Sequence, residues 1–477
     1  MKKIFIIAFI FTSFLYAQSF EQWKNEQSAS FGLYKKTMDE EFSSMLKEKW
    51  SIYKPKEEKK LFIEPKLKEI PKIKEEVEIL KQEINKSPIV KPKKYPTIQA
   101  EEIVEVKNVP KIVLDKSLEN ISFLFFGKQI NLNYDKKINF ELYEINNKTI
   151  SNKWTQLSQA KTNLLIKDIK TYVDNLELND WAKYLFINEI GKNIYKDKNK
   201  TNIFTWYILS KMGYDIKVGY NTNAIYLLST IKHKLFQVSF FNLSNKRYYV
   251  LSPEGKSKRV TQLHIYKGNY PKSIESLSFE INKAIKFDNN IQTKNLSFDF
   301  QNKKYNIKAN YSKDLVDFYR SFPQSDYKIY FNSKNSSLIS QTLLKELSKE
   351  LEGKTEIEAV NFLLRFTQKS FSYKTDDEQF SYEKVMFPEE TLFYPFSDCE
   401  DRSIMFSTLI KNLLNLNVVG VKFSDHLATA VEFKGKVSGD SFEYKGKTYT
   451  ISDATYVNAN AGMTMPKYKN SSFKIIE

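Results

Sequence analysis

The sequence predicts an α+β protein in which a small core, helices packed on an antiparallel sheet behind a β hairpin, is built twice in tandem. Two observations lead there. Stretches with apolar residues at helical spacing give way to short runs of alternating apolar and polar residues, bounded by Asn, Asp and Gly. The order of those stretches in residues 118–290 returns in residues 336–477, behind a β region at 291–335.

The chain opens on Met-Lys-Lys, a 13-residue apolar run at 4–16, and Ala17 before Gln18. A charged start, a short apolar run and a small residue make up a secretory signal peptide, placed here at 1–17. The run is short for a membrane span, and no later segment offers 18 uncharged apolar residues, so no transmembrane helix is expected in the mature chain. Leu15 stands where a small residue is preferred, which leaves an uncleaved anchor as the alternative. No Cys lies near the cut to carry a lipid. A periplasmic or secreted protein is expected.

Residues 18–53 read as a short helical region, with Phe20, Trp23, Phe31, Met38, Phe42, Met45, Leu46 and Trp50 near helical spacing. Residues 54–117 are rich in Lys, Glu and Pro and read as a semi-extended spacer. Within it Ile73, Val77, Leu80 and Ile84 suggest a short helix over 71–86.

The two units then run in parallel. NISFLFFGKQINLNY (120–134) and NLSFDFQNKKYNIKANY (295–311) each read as two strands around a polar turn. Residues 164–196 and 342–374 align without gaps as paired helices, breaking near Asn175 and Gly353. Residues 204–220 and 405–423 are a helix running into a strand. KHKLFQVSF (232–240) aligns with DHLATAVEF (425–433), setting His233 against His426, and Pro253 falls where Asp453 stands. The second unit alone holds the insertion DDEQFSYEKVMFPEETLFYPFSDC (376–399). The first unit therefore lacks both the cysteine and the aspartate. His233 reads as a core or strand-surface histidine, and its unit as a scaffold or substrate-recognition domain.

Net charge is +17, but Lys is interleaved with Glu and Asn along the whole chain. With no basic stripe and no nucleic-acid motif, a nucleic-acid partner is not expected. Loose attraction to anionic envelope surfaces is the most the balance implies.

Cys399 is the only cysteine in 477 residues. Exported proteins mostly keep cysteines paired, so a lone one invites a chemical reading. It lies in SDCEDRS (397–403), directly ahead of the helical stretch 404–416. A thiolate there meets the positive end of a helix, which lowers its pKa. Asp398, Glu400 and Asp401 read most simply as helix caps, and Arg402 as the partner of a neighbouring carboxylate. His426 lies 27 residues further on at the head of a strand, and Asp453 another 27 on at the end of one. They would serve as base and orienter for the thiol. Asp453 also suits an Asx turn in Asp-Ala-Thr.

Cys, His and Asp in this order on helix start, strand and strand, with EAVNFLLRFTQKSFSYKTDDEQF and FPEETLFYPFSDCEDRS ahead of them, resemble the transglutaminase-like superfamily of papain-type thiol enzymes. The resemblance covers roughly residues 340–477 and is nearest to secreted bacterial members. It implies Cys399 as nucleophile, His426 as base and Asp453 as orienter. It also implies an oxyanion site from the Cys399 N–H and an upstream donor, for which Gln379 and Tyr394 are candidates. Leu427-Ala428 stand where many relatives carry Ala-Trp, so the groove wall does not carry over. The expected activity is a cysteine peptidase or amidase acting on protein or peptide amides in the cell envelope. A protein cross-linking transglutaminase and a non-enzymatic envelope adaptor are the alternatives. No cofactor is expected: three His and one Cys show no metal-ligand spacing, and 13 Gly leave little room for a phosphate loop.

Overall fold

The computed structural model describes residues 23–25, 27, 32–48, 50–57, 67, 69–95, 112, 115, 117–256 and 260–477. The signal segment expected at 1–17 lies outside the described residues. Among these, no helix is long and apolar enough to cross a membrane.

Residues 32–48 are helical. Met38, Phe42 and Leu46, four residues apart, form the buried face. Phe42 meets Trp154 edge-on at 4.6 Å between centroids, and Asp39 pairs with Lys211 at 2.9 Å, so this helix docks on the first unit. Two short strands follow. Trp50–Tyr53 pairs antiparallel with Leu263–Tyr266, and Lys56–Glu57 pairs with the strand Ser239–Leu243. They hold opposite edges of one seven-stranded sheet, yet only Lys54 and Pro55 separate them. Three peptide steps reach at most roughly 11 Å. The sheet therefore curls until its edges nearly meet.

The first unit is a mixed α+β body. A hairpin, Glu119–Phe125 and Lys128–Tyr134, turns at Phe126 and Gly127, both at positive φ. Helices Asn147–Gln159, Asp180–Tyr195 and Lys198–Lys211 start on Asn146, Asn179 and Asp197, whose side chains accept the first free N–H groups. The central strand is Ile225–Thr230, held between Ile216–Tyr220 and Lys246–Leu251. This corrects the alignment made from sequence, which sets residues 232–240 against 425–433 and so His233 at the place of His426. IYLLST is buried along most of its length, whereas Lys232, His233 and Lys234 are polar, so His233 follows the strand in a loop.

The second unit opens on the hairpin Ile291–Phe300 and Lys303–Ser312, turning at Gln301 and Asn302. The helix Glu356–Ser370 lays Phe362 and Phe366 on Phe298, at 5.3 and 5.6 Å. The five-stranded sheet runs Ser441–Tyr444, Lys447–Ile451, Leu427–Val431, Val418–Lys422, Lys474–Ile476, every neighbouring pair antiparallel. The region expected as β at 291–335 is β only to Ser312. Lys313–Arg320 and Tyr327–Asn332 are helices, because Leu315, Phe318, Tyr319 and Phe322 recur at helical spacing and all four are buried. These helices join the units: Phe318 meets Phe287 at 5.5 Å, and Tyr319 stacks on Phe387 at 4.1 Å.

The stretch expected as a spacer is bound where it is described. Ile73 donates its N–H to Val457 O at 3.1 Å, Val90 to Lys354 O at 2.9 Å, and Lys93 to Leu413 O at 3.1 Å. Only Lys81–Lys86 is helical, not the whole of 71–86. The backbone of 71–79 bonds the second unit instead of itself, so residues 69–95 form a strap across that unit.

Candidate active site

The helix Cys399–Leu413 begins on the cysteine itself. Asp401 shapes that start, accepting the N–H of Met386 at 2.8 Å and of Asp398 at 3.2 Å. The helix is buried almost throughout, as a central core helix should be. Its first turn rests on the head of the strand Leu427–Val431: Ser403 Oγ donates to Leu427 O at 2.8 Å, and the Leu427 N–H is near enough to the Cys399 sulfur to pull its pKa down. Residues 399 and 403 share one helix face, which is why both reach the same residue.

His426 immediately precedes Leu427. Its Nε2 lies 2.8 Å from Asp453 Oδ2, with both side chains buried. Its Nδ1 is buried without a hydrogen-bond partner. The ring stacks on Tyr468 at 5.2 Å and lies nearly parallel to Phe423 at 6.2 Å. The second oxygen of Asp453 accepts the N–H of Thr455 at 2.8 Å and of Tyr456 at 3.3 Å. Orienter and Asx turn are thus the same residue in two roles. Of the three residues singled out by sequence, His426 and Asp453 are bonded to each other, while the Cys399 thiol is bonded to Glu400 and the imidazole nitrogen left over has no partner.

The sulfur's surroundings differ from the expectation in one respect. Cys399 has no exposed surface. Its thiol donates to Glu400 Oε2 at 3.1 Å. Burial, then the Glu400 and Asp398 carboxylates, hold the thiol well above its usual pKa, against the opposing pull of the Leu427 N–H. The helix terminus alone would lower it; desolvation and two neighbouring acids outweigh that. The resting site is a neutral thiol.

Those acids belong to a larger group. Asp376, Glu383 and Glu400 each offer an oxygen within 4.8 Å of the others, as do Asp376, Asp398 and Asp401, and all are buried. Glu400 Oε1 has no hydrogen-bond partner. Burial and mutual repulsion push Asp376 and Asp398 well above the carboxylate range, and burial with Glu400 pushes Asp401 up to about 7. Such a group holds either protons or a hard divalent cation, for which clustered carboxylate oxygens are suitable ligands. Ligand spacing in the sequence gave no sign of it, because 376 and 383 come from a loop and short helix that only the fold brings to 398–401.

Of the oxyanion candidates, Gln379 keeps a buried Nε2 without a partner. Tyr394 packs on Phe380 at 5.0 Å and feels chiefly Lys384 and Glu390 beyond its burial, a different set of neighbours from those of the thiol. In the first unit, His233 Nε2 faces Ser278 Oγ at 3.4 Å, with Glu280 at 4.0 Å.

Three supporting residues were not legible in sequence. Gln368 donates Nε2 to the backbone oxygen of Asp453 at 2.9 Å. Arg365, fully buried, bonds Gln368 Oε1, Ala459 O and Asn460 Oδ1. Glu76 of the strap lies 3.9 Å from Arg365 Nε. Together they hold the loop after Asp453 from behind. Compared with known proteins, the chain matches no family model, no curated protein and no solved structure.

Proposed function

We propose that the chain is an exported thiol acyl-transfer enzyme, a cysteine peptidase or amidase acting on protein or peptide amides. The observation that carries this reading is the buried His426–Asp453 pair beside a helix that starts on the cysteine and bonds, through Ser403 Oγ, the residue after the histidine. The two tandem bodies are read as a duplicated transglutaminase-like core, of which the first has lost nucleophile and orienter and serves as scaffold.

Asp453 occupies Nε2, which leaves Nδ1 to receive the thiol proton. As the proton leaves, sulfur attacks the amide carbon, the C–S bond forms and the carbonyl electrons move to oxygen. The intermediate collapses with rupture of the C–N bond, and the imidazolium gives its proton to the departing amine. A water then attacks the thioester, His426 takes its proton, and acid and thiol are released. Because the resting thiol is neutral and buried, proton transfer accompanies attack and no standing thiolate is required.

The test uses p-nitrophenyl acetate, small enough to enter without a shaped pocket. Intact-mass analysis should find one acetyl group on Cys399 of the folded protein, turning over with time, and almost none in His426→Ala. A folded protein that takes no acetyl group, while its unfolded chain does, overturns the reading. Incorporation of a fluorescent amine into an acceptor protein would instead favour cross-linking.

A further inference from the structure

The proposed chemistry brings a substrate carbonyl against Cys399 and His426, yet the cysteine has no exposed surface and the imidazole is buried with it. A site closed at rest must open somewhere. Tyr468 stacks over His426 at 5.2 Å and over Phe423 at 4.8 Å, with interplanar angles of 17° and 25°. The Cys399 sulfur and the Asp453 carboxylate both act electrostatically on its hydroxyl. Among residues 466–474 only Tyr468 is buried; all the others are exposed. The ring is therefore the one part of an outer turn that points inward, and it rests on the imidazole.

The turn is attached in a way that lets it lift. Tyr468 N–H bonds Met465 O at 2.8 Å and Ser471 N–H bonds Tyr468 O at 3.0 Å, so these backbone bonds close on the turn itself. Side chains tie it to the body. Lys467 Nζ lies 2.5 Å from Asp425 Oδ2, and Tyr468 Oη donates to Asp425 Oδ1 at 3.1 Å. Further along, Lys469 lies 3.7 Å from Asp440, and Phe473 packs on Phe442 at 4.9 Å and on Phe423 at 5.8 Å. One carboxylate, in the residue just ahead of His426, thus holds the ring through both of its oxygens. An ion pair open to water and a single hydrogen bond are weak ties. A loop held by such ties opens locally while sheet and helix stay folded. Ser472 and Phe473 of the turn, with Phe423 and Ser424, also border an open cleft of ≈ 950 Å³.

We propose that residues 466–473 are a cover over the active site, with Tyr468 as its plug and Asp425 as its latch, and that lifting the cover joins the cleft to His426 and Cys399. The catalytic meaning of the cover rests on the acyl-transfer reading; its movement does not.

Cys399 is the only cysteine in the chain, so intact-mass analysis of the folded full-length protein follows its alkylation by iodoacetamide alone. Asp425→Ser should speed alkylation by about tenfold, the rise in open population expected on losing two weak ties. Tyr468→Ala should speed it further. Joined in one chain, the two changes should act no faster than Tyr468→Ala by itself, because the latch then has nothing to hold. An effect of Asp425 on the ionisation of the thiol would instead persist in the double variant. Alkylation unmoved by Asp425→Ser, which leaves every buried ring in place, overturns the inference, as do multiplied effects in the double variant. So does faster alkylation of Asp425→Ser accompanied by lost amide protection along the helix Cys399–Leu413, which is unfolding. The same proteins are then given p-nitrophenyl acetate. Faster alkylation without acetylation leaves the cover and removes the enzyme, whereas acetylation with alkylation unmoved by either change leaves the enzyme and removes the cover.

Discussion

Ser403 Oγ donates to the carbonyl of Leu427 at 2.8 Å, which ties the strand that carries the imidazole to the helix that carries the thiol. The N–H of the same residue lies near enough to the Cys399 sulfur to lower its pKa. Both backbone groups of Leu427 therefore face one helical turn, and the position of His426, one residue earlier, follows.

Ser403→Ala should remove the donor to the Leu427 carbonyl and cost about 1 kcal/mol or somewhat more. Calorimetry should show a lowered Tm, and the acetylation rate of Cys399 should fall although Ser403 touches no reactant. An unchanged rate would show that the strand is positioned by other contacts.

Asp453→Asn keeps an oxygen for the Thr455 and Tyr456 N–H groups, so the fold should survive. What is lost is the negative charge behind the imidazole and the control of its tautomer. Turnover should fall by about 10³ to 10⁴ with little change in Tm. A loss of less than about tenfold would mean that His426 is held adequately without it.

Arg365→Met should be among the most damaging changes far from the thiol. It removes the guanidinium donor from Ala459 O and Gln368 Oε1, which keep only Gln368 Nε2 and the Asn458 N–H, and from Asn460 Oδ1, a loss of about 3 kcal/mol. Hydrogen exchange should rise across 453–460 and in the strap around Glu76. Protection unchanged at both sites would uncouple the strap from the Asp453 loop.

The buried carboxylates around Glu400 make stability sensitive to divalent cations. Raising Ca²⁺ or Mg²⁺ from trace to millimolar at pH 8 should lift Tm progressively, as for any ligand bound by the folded state alone. Glu400→Gln should flatten the response. A wild-type Tm indifferent to both ions would leave protons as the neutralising partners.

Burial holds the Lys217 pKa down to about 8, opposed by Asp215 and helped by Lys246. Below pH 8 the ion is present in both states and its desolvation penalises the fold. Between about 8 and the ordinary 10.5 the unfolded chain keeps a proton that the folded one has released, so stability rises with pH by up to about 3 kcal/mol. Lys411, also brought to about 8 by burial, acts in the same direction. Lys217→Met should therefore remove about half of the rise in Tm between pH 8 and 10. A slope identical to wild type would place the Lys217 ammonium in a better-solvated site.

Local signals carried far in this chain. Amphipathic spacing gave the paired helices at 164–196 and 342–374, and alternation gave both hairpins, because these patterns are fixed by which face meets the core. Cys399, His426 and Asp453 could be named because a lone thiol, an imidazole and a carboxylate are chemically conspicuous at a helix start and two strand ends. The strap was misread since Lys, Glu and Pro describe solvated chain equally well when its backbone bonds another segment. The first-unit strand was misplaced because matching His233 to His426 overrode the better apolar run of Ile225–Thr230. Neither the carboxylate group nor the Gln368–Arg365 support has a local pattern, since each unites residues far apart in the chain or ordinary in type.

The curled sheet of the first unit has a kinetic corollary. Its outermost strands, Trp50–Tyr53 and Lys56–Glu57, emerge first from the ribosome, yet their partners Leu263–Tyr266 and Ser239–Leu243 emerge roughly 180 residues or more later, the former last among that sheet's strands. Those early segments must wait, unpaired, through the synthesis of the intervening chain. Late docking of this kind closes long loops and slows assembly. A chain that stays open until more than half of it has been made is also one that can still be threaded through a narrow passage while it is being made.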